Sequence, residues 1–195
     1  MKPAIALLEF ESIAIGVSAG DAMVKKAPVE VTYAGTVHPG KYLVLVGGDV
    51  ACVEEAYKAG LAAGANTLLD QIFLPGVHPQ VISTLRGARS AMTGEALGVV
   101  ETRTAAATVG AADRGVKGAD VKLLEIRLAD RLGGKAYCVF SGAVADVEIA
   151  VDLAVAGLEP PDTLIAKVVI PQFHAEMLEN FEAASEFHDR IGIGA

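Results

Sequence analysis

Four histidines, two cysteines and one Gly-Gly-Lys string are the residues from which this chain could build chemistry. A catalytic imidazole needs a nucleophile and an orienting group beside it, and no Ser/His/Asp or Cys/His set is legible in the spacing. His78 and His174 stand in matching strings, LPGVHPQ (74–80) and IPQFHAE (170–176), so one structural role serves both. A half-buried imidazole, donor and acceptor at once, suits the end of a strand or the start of a short helix. His188 stands in a polar tail and reads as solvated. His38 precedes Pro39-Gly40 at the tip of a hairpin. A single exposed imidazole does little by itself. Three brought together by symmetry could hold a metal, since three His plus water make an open tetrahedral site. They could equally form a gate that responds to protonation near neutral pH.

The remaining candidates read as structural. Gly133-Gly134-Lys135 is not a phosphate loop: Ala129 stands where the first Gly belongs and Ala136 where Ser or Thr belongs. Cys52 falls in a predicted helix and Cys138 in a predicted strand, and both are expected to be buried, inert thiols. Two cysteines are no disulfide framework, which fits a reducing, cytoplasmic setting, and one chain lacks the four thiolates of an iron–sulfur cluster. With Lys plus Arg 16 and Asp plus Glu 24 the net charge is −8, which argues against nucleic acid as a partner. Hydrophobic residues at 52% and charged residues at 21% exclude disorder. Apolar runs are broken well short of the ~20 residues that span a bilayer, and Glu9 and Glu11 interrupt the N-terminal run, so neither a membrane segment nor a signal peptide is expected.

The elements that position these residues occur twice. At an offset of 92, Glu9 falls on Glu101, Asp21 on Asp113, Lys25 on Lys117 and Val29 on Val121. GKYLVLVGGDVACVEEA (40–56) then matches GKAYCVFSGAVADVEIA (134–150) at 94, and His78 matches His174 at 96. The first added pair of residues lies in a loop between Val121 and Gly134. Tandem copies are therefore expected near 3–90 and 95–185, joined by the small, polar string 86–96. In each copy an apolar strand (AIALLEF in the first) is followed by a helix with a Ser12 or Thr104 N-cap, running to about Ala27 or Ala119. In the first copy a hairpin through His38-Pro39-Gly40, a helix capped by Asp49, a fourth strand and a short helix near His78-Pro79 follow. Strand–helix–strand–strand–helix–strand is a ferredoxin-like α/β (α+β) order, an antiparallel sheet with helices on one face. Lys25 and Lys117 sit where a cation meets the negative end of a helix; a recurring edge contact is the sharper reading.

AIALLEFESIAIGVSAGDAMVKKAPVEV and LGVVETRTAAATVGAADRGVKGADVKL resemble two copies of the bacterial microcompartment shell domain, in the non-permuted strand order. The resemblance covers nearly the whole chain. It implies a tandem-domain shell protein, a homotrimer whose six domains imitate a hexameric tile, alongside other shell proteins and encapsulated enzymes. Within the family the chain is most similar to the tandem type of the propanediol-utilisation organelle. There a CPGK loop meets its symmetry mates at a central pore and holds an iron–sulfur cluster. Here the loop is His38-Pro39-Gly40-Lys41, so His replaces the family Cys. The resemblance thus implies that His38, Pro39 and Gly40 line the opening, with a metal ion on three copies of His38, or an iron–sulfur cluster at the three-fold pore, as the candidate cofactors. Asp130, Arg131, Gly133 and Gly134 of the second copy complete the rim, where backbone N–H groups could meet anions. The family Arg of IPRPH is replaced by Gly76 and Gln172, while Lys25, Lys117, His78 and His174 stand at tile-edge positions.

The expected function is structural, without catalysis: tiling a shell around an enzyme-filled compartment, with a pore for metabolites, ions or, metal-loaded, electrons. The alternative is a ligand-binding sensor or small enzyme on a duplicated ferredoxin-like fold, its site between the two copies.

Overall fold

A computed structural model of the chain describes residues 3–183; His188 lies outside them. The repeat is plain in the element order. The first half runs β1 (Ala4–Phe10), α1 (Ile13–Lys26), β2 (Val31–Val37), β3 (Lys41–Gly48), α2 (Val50–Gly64), β4 (Leu68–Leu74) and α3 (Pro79–Leu85). The second runs β5 (Ala96–Thr102), α4 (Ala105–Gly118), β6 (Lys122–Leu128), β7 (Ala136–Gly142), α5 (Val144–Ala156), β8 (Leu164–Ile170) and α6 (Ala175–Ala183). Each half makes a four-stranded sheet, in the orders β2-β3-β1-β4 and β6-β7-β5-β8. The strand pairings in both are antiparallel.

Local chemistry explains the boundaries. Ser12 and Thr104 cap α1 and α4, their hydroxyls accepting from Ile15 N and Ala107 N. Helix α1 stops at Lys26 because Pro28 forces Ala27 into extended backbone. Asp49 caps α2 through Ala51 N, whereas Ala143, its counterpart, gives α5 no side-chain cap. The hairpin turn closes through Gly40 N to Val37 O at 2.9 Å, with Gly40 at φ +113°. The first inserted pair of residues lengthens the corresponding β6–β7 loop. Ala129, Arg131, Gly133 and Gly134 there all take positive φ, coiling the loop tightly.

Strand β1 is apolar throughout because both its faces are covered. Ala4, Ala6, Leu8 and Phe10 form a core with Ala19 and Met23 of α1 and Val53 and Ala56 of α2. Ile5 and Leu7 on the other face join a core that continues into the second half through Val77, Val81, Val109 and Val116. The two halves are thus welded by one apolar core. Cys138 is buried in β7 as expected. Cys52 corrects the expectation of two buried thiols: it is only partly covered, because it lies off the inner row of α2, whose buried residues are Val53, Ala56, Gly60 and Gly64.

Candidate functional site

The two loops that the repeat makes equivalent meet in space. His38 Nδ1 lies 3.0 Å from Asp130 Oδ1, and both side chains are about two-thirds exposed, at 67% and 63%. An ionised carboxylate only accepts, so the imidazole donates from Nδ1, which leaves Nε2 as the ring nitrogen turned away from Asp130. Behind this pair, Lys41 joins the loops: its Nζ donates to Glu9 Oε1 at 2.6 Å and to Gly134 O at 3.5 Å. Gly134 has to lack a side chain here, since a Cβ would stand 2.9 Å from Pro39 Cδ. A Cβ on Gly133 would meet open space, which puts this end of the loop at the surface.

The donor set decides which metals suit these loops. The rim holds imidazole and carboxylate, with no thiol. Cys138 is buried in β7, its thiol pushed up to about 12 by desolvation, and Cys52 lies on α2. An iron–sulfur cluster does not fit these residues. The loops offer one imidazole nitrogen per chain, held in place by its bond to Asp130 in the way that an outer-shell carboxylate orients a histidine. Among the described residues no single-chain group of three or more His, Cys, Asp or Glu is assembled for a metal.

A second arrangement, the seam between the halves, was not legible in advance. Glu9, fully buried, accepts from Lys41 with one oxygen and from Ala105 N, in the first turn of α4, with the other at 2.8 Å. A carboxylate there is favoured by the helix dipole and by the unpaired N–H groups of the first turn. The Thr104 hydroxyl donates to the Asp70 carboxylate beside it. Asp113, 2% exposed, accepts from His78 N at 2.8 Å and also pairs with Lys117. The Gln80 amide pairs with the edge of β6 much as a neighbouring strand would: Leu123 N donates to Oε1 at 2.8 Å and Nε2 donates to Val121 O at 3.3 Å. The one available signal was a charged Glu9 closing an otherwise apolar strand.

His78 is the half-buried, helix-starting imidazole expected, and His174 starts α6 in the same way but is exposed, with Nδ1 accepting from Gln80 N and from Glu176 N at 3.3 Å each. His78 and Lys117 lie along the seam, while Lys25 pairs with Asp21 on the outside of the chain. Among the described residues no helix is long and apolar enough to cross a membrane.

The BMC domain matches residues 4–77 and 96–173, once in each half. The chain is 40% identical over 177 residues to the bacterial microcompartment shell protein PduT of Citrobacter freundii, covering 91% of this chain and 96% of that one. It is 36% identical over 87 residues to the shell protein EutM of Salmonella typhimurium, an alignment covering 45% of this chain and 88% of the relative. A crystal structure of a microcompartment protein from Desulfitobacterium hafniense superposes with a TM-score of 0.81 at 40% identity, covering 92% of this chain and 99% of that one.

Proposed function

This chain belongs to the BMC domain family in both of its halves, and from that premise we infer that three copies close into a six-domain ring that tiles a bacterial microcompartment shell. The observation that carries the reading is that the outside of the chain presents, unmated, both sides of the seam already mated inside it. Helix α4 is buried along Ala105, Ala106, Val109, Ala112 and Val116. The equivalent face of α1 leaves Ile13 42%, Val17 51% and Val24 43% exposed. Buried Asp113 has its counterpart in Asp21, whose pair with Lys25 lies in solvent. The opposing side repeats the contrast. Val81 of α3 is fully buried, while its equivalent Met177 of α6 is 56% exposed and Val168 of β8 is 46% exposed. Large apolar side chains left open over a helix and a strand edge mark an interface. Two different surfaces that fit each other build a ring when the rotation closes. Repeating the internal seam between copies brings the α1 face of one copy against the β8–α6 edge of the next.

In such a ring the His38 turn and the 129–135 loop, already side by side in one chain, alternate around the middle. His38, Pro39, Gly40, Asp130, Arg131, Gly133 and Gly134 then rim an opening for small polar metabolites or ions. Three His38 Nε2 atoms would face the axis as ligands for a divalent cation. Lys117 keeps a 39% exposed side chain with the internal seam closed, which supports Lys25 and Lys117, with His78 and His174 beside them, as contacts to neighbouring tiles. Other shell proteins are the partners on that edge, and encapsulated enzymes lie on one face of the sheet. Native mass spectrometry tests the ring. Wild type is expected at three chains and Val17→Arg at one, with an unchanged circular dichroism spectrum; a wild type of one chain would overturn the reading.

A further inference from the structure

Segment 86–95 crosses the sheet of the second half on the face turned away from α4 and α5. Met92 packs against Leu97, Leu124 and Val139. Thr93 N donates to Ser141 Oγ at 3.0 Å, and Arg89 pairs with Glu125 at 2.9 Å. Under this cover Leu97 is 2% exposed and Val139 is fully buried.

The same face of the first sheet is open on its β2–β3 side, although Ile5 itself is buried against the core. Ile5 stands for Leu97, Leu45 for Val139, Tyr33 for Glu125 and Gly47 for Ser141. Among the described residues no segment lies across them. There is instead a groove of about 290 Å³, lined by Ile5, Tyr33, Leu45 and Ile82, with Glu30 and Arg86 also on its wall. Tyr33 is 58% exposed.

We propose that this groove receives residues 184–195 of a neighbouring copy. The inference rests on the ring. Segment 86–95 leaves α3 and covers the sheet of the next half within the chain. Residues 184–195 leave α6, the equivalent helix, and the next half there is the first half of the adjoining copy. Length and chemistry agree. The segment AASEFHDRIGIGA from 183 to 195 brings Phe187, Ile191 and Ile193 to an apolar groove, with Arg190 for Glu30 and Glu186 or Asp189 for Arg86. Burying such side chains works against the cost of ordering the segment, and within a preformed ring the donor is already at hand.

The chain has no Trp, so Tyr33→Trp places a lone reporter in the groove at an exposed position that tolerates it. Emission should be blue-shifted in the full chain and red-shifted in the same variant ending at residue 183. Titrating the shortened variant with a synthetic 184–195 peptide should restore the blue shift saturably. Identical emission in both chains, or no response to the peptide, overturns the proposal. Oxidation of a Tyr33→Cys, Ile191→Cys variant carrying Cys52→Ser then assigns the donor chain. A ladder of two and three linked chains supports docking between copies; a cross-link confined to one chain overturns it. Native mass separates the premises: three chains without a peptide response sinks only the tail docking, whereas one chain sinks the ring and the docking together.

Discussion

Lys41 and Lys135 occupy equivalent places and hold equivalent carboxylates at the same 2.6 Å, yet their removal is expected to have different consequences. Glu9 has no solvent exposure and Lys41 only 19%, whereas Glu101 is 29% and Lys135 51% exposed. Lys41→Met leaves a carboxylate in the dry seam that still accepts from Ala105 N but has lost its cation. Breaking a buried pair in this way costs about 3–5 kcal/mol. Lys135→Met breaks a half-exposed pair, worth about 0.2–1 kcal/mol after solvent screening. Urea unfolding of both variants in the single-chain Val17→Arg background should therefore show a gap of about 2–5 kcal/mol between them. Equal losses would refute the reasoning that the Glu9 site is a desolvated seam. In the proposed ring the second pair would gain the burial of the first, because the N-terminus of α1 from the next copy would cover Glu101. Lys135→Met should then weaken the ring by about 2–3 kcal/mol, a rise of roughly thirty- to a hundredfold in the dissociation constant, read by native mass on dilution. A ring that dissociates as wild type does would separate the two pairs and remove Glu101 from the interface.

Three further outcomes are expected. Gly64→Ala should lower stability by about 1–3 kcal/mol in a denaturant titration despite the better helix propensity of Ala, because its Cβ would come within 2.2 Å of Phe10 Cε1; a stabilised variant would contradict the packing of α2 on β1. Iodoacetamide at pH 8 should alkylate partly exposed Cys52 in the native protein and spare Cys138, whose thiol, raised to about 12 by burial, carries almost no thiolate at that pH; mass mapping that finds Cys138 labelled first would contradict this. After zinc loading and desalting, wild type should retain about one Zn²⁺ per three chains and His38→Ala none; equal retention removes His38 as a ligand.

Much of the fold could be read from the order of residues, and particular positions show why. Ser12, Thr104 and Asp49 announced their helices because a cap is a contact over two or three residues. The His38 turn and the loop that lengthens its counterpart followed from Pro, Gly and the jump in repeat offset. The start of α3 at His78 was equally local. Glu9 was flagged as a break in the N-terminal apolar run and as a repeat mate of Glu101, with no partner assigned. Its partner Ala105 N lies 96 residues away, and nothing in either string predicts that a strand end meets the first turn of the other half's helix. The Gln80 amide against the edge of β6 and the bond between His38 and Asp130 were hidden for the same reason.

Residue order alone determined that this protein is two similar halves, each with its strands, helices and caps in place, because those depend on periodicity and short-range hydrogen bonds. It could not say which of two equivalent helices would be buried. Helices α1 and α4 carry the same apolar face and the same Asp–Lys pair four residues apart, yet one Asp is 55% exposed at its side chain and the other 3%. Tertiary structure made that choice: with one connection between the halves, a single seam closes inside the chain, and the equivalent face of α1 and the β8–α6 edge keep their apolar side chains exposed.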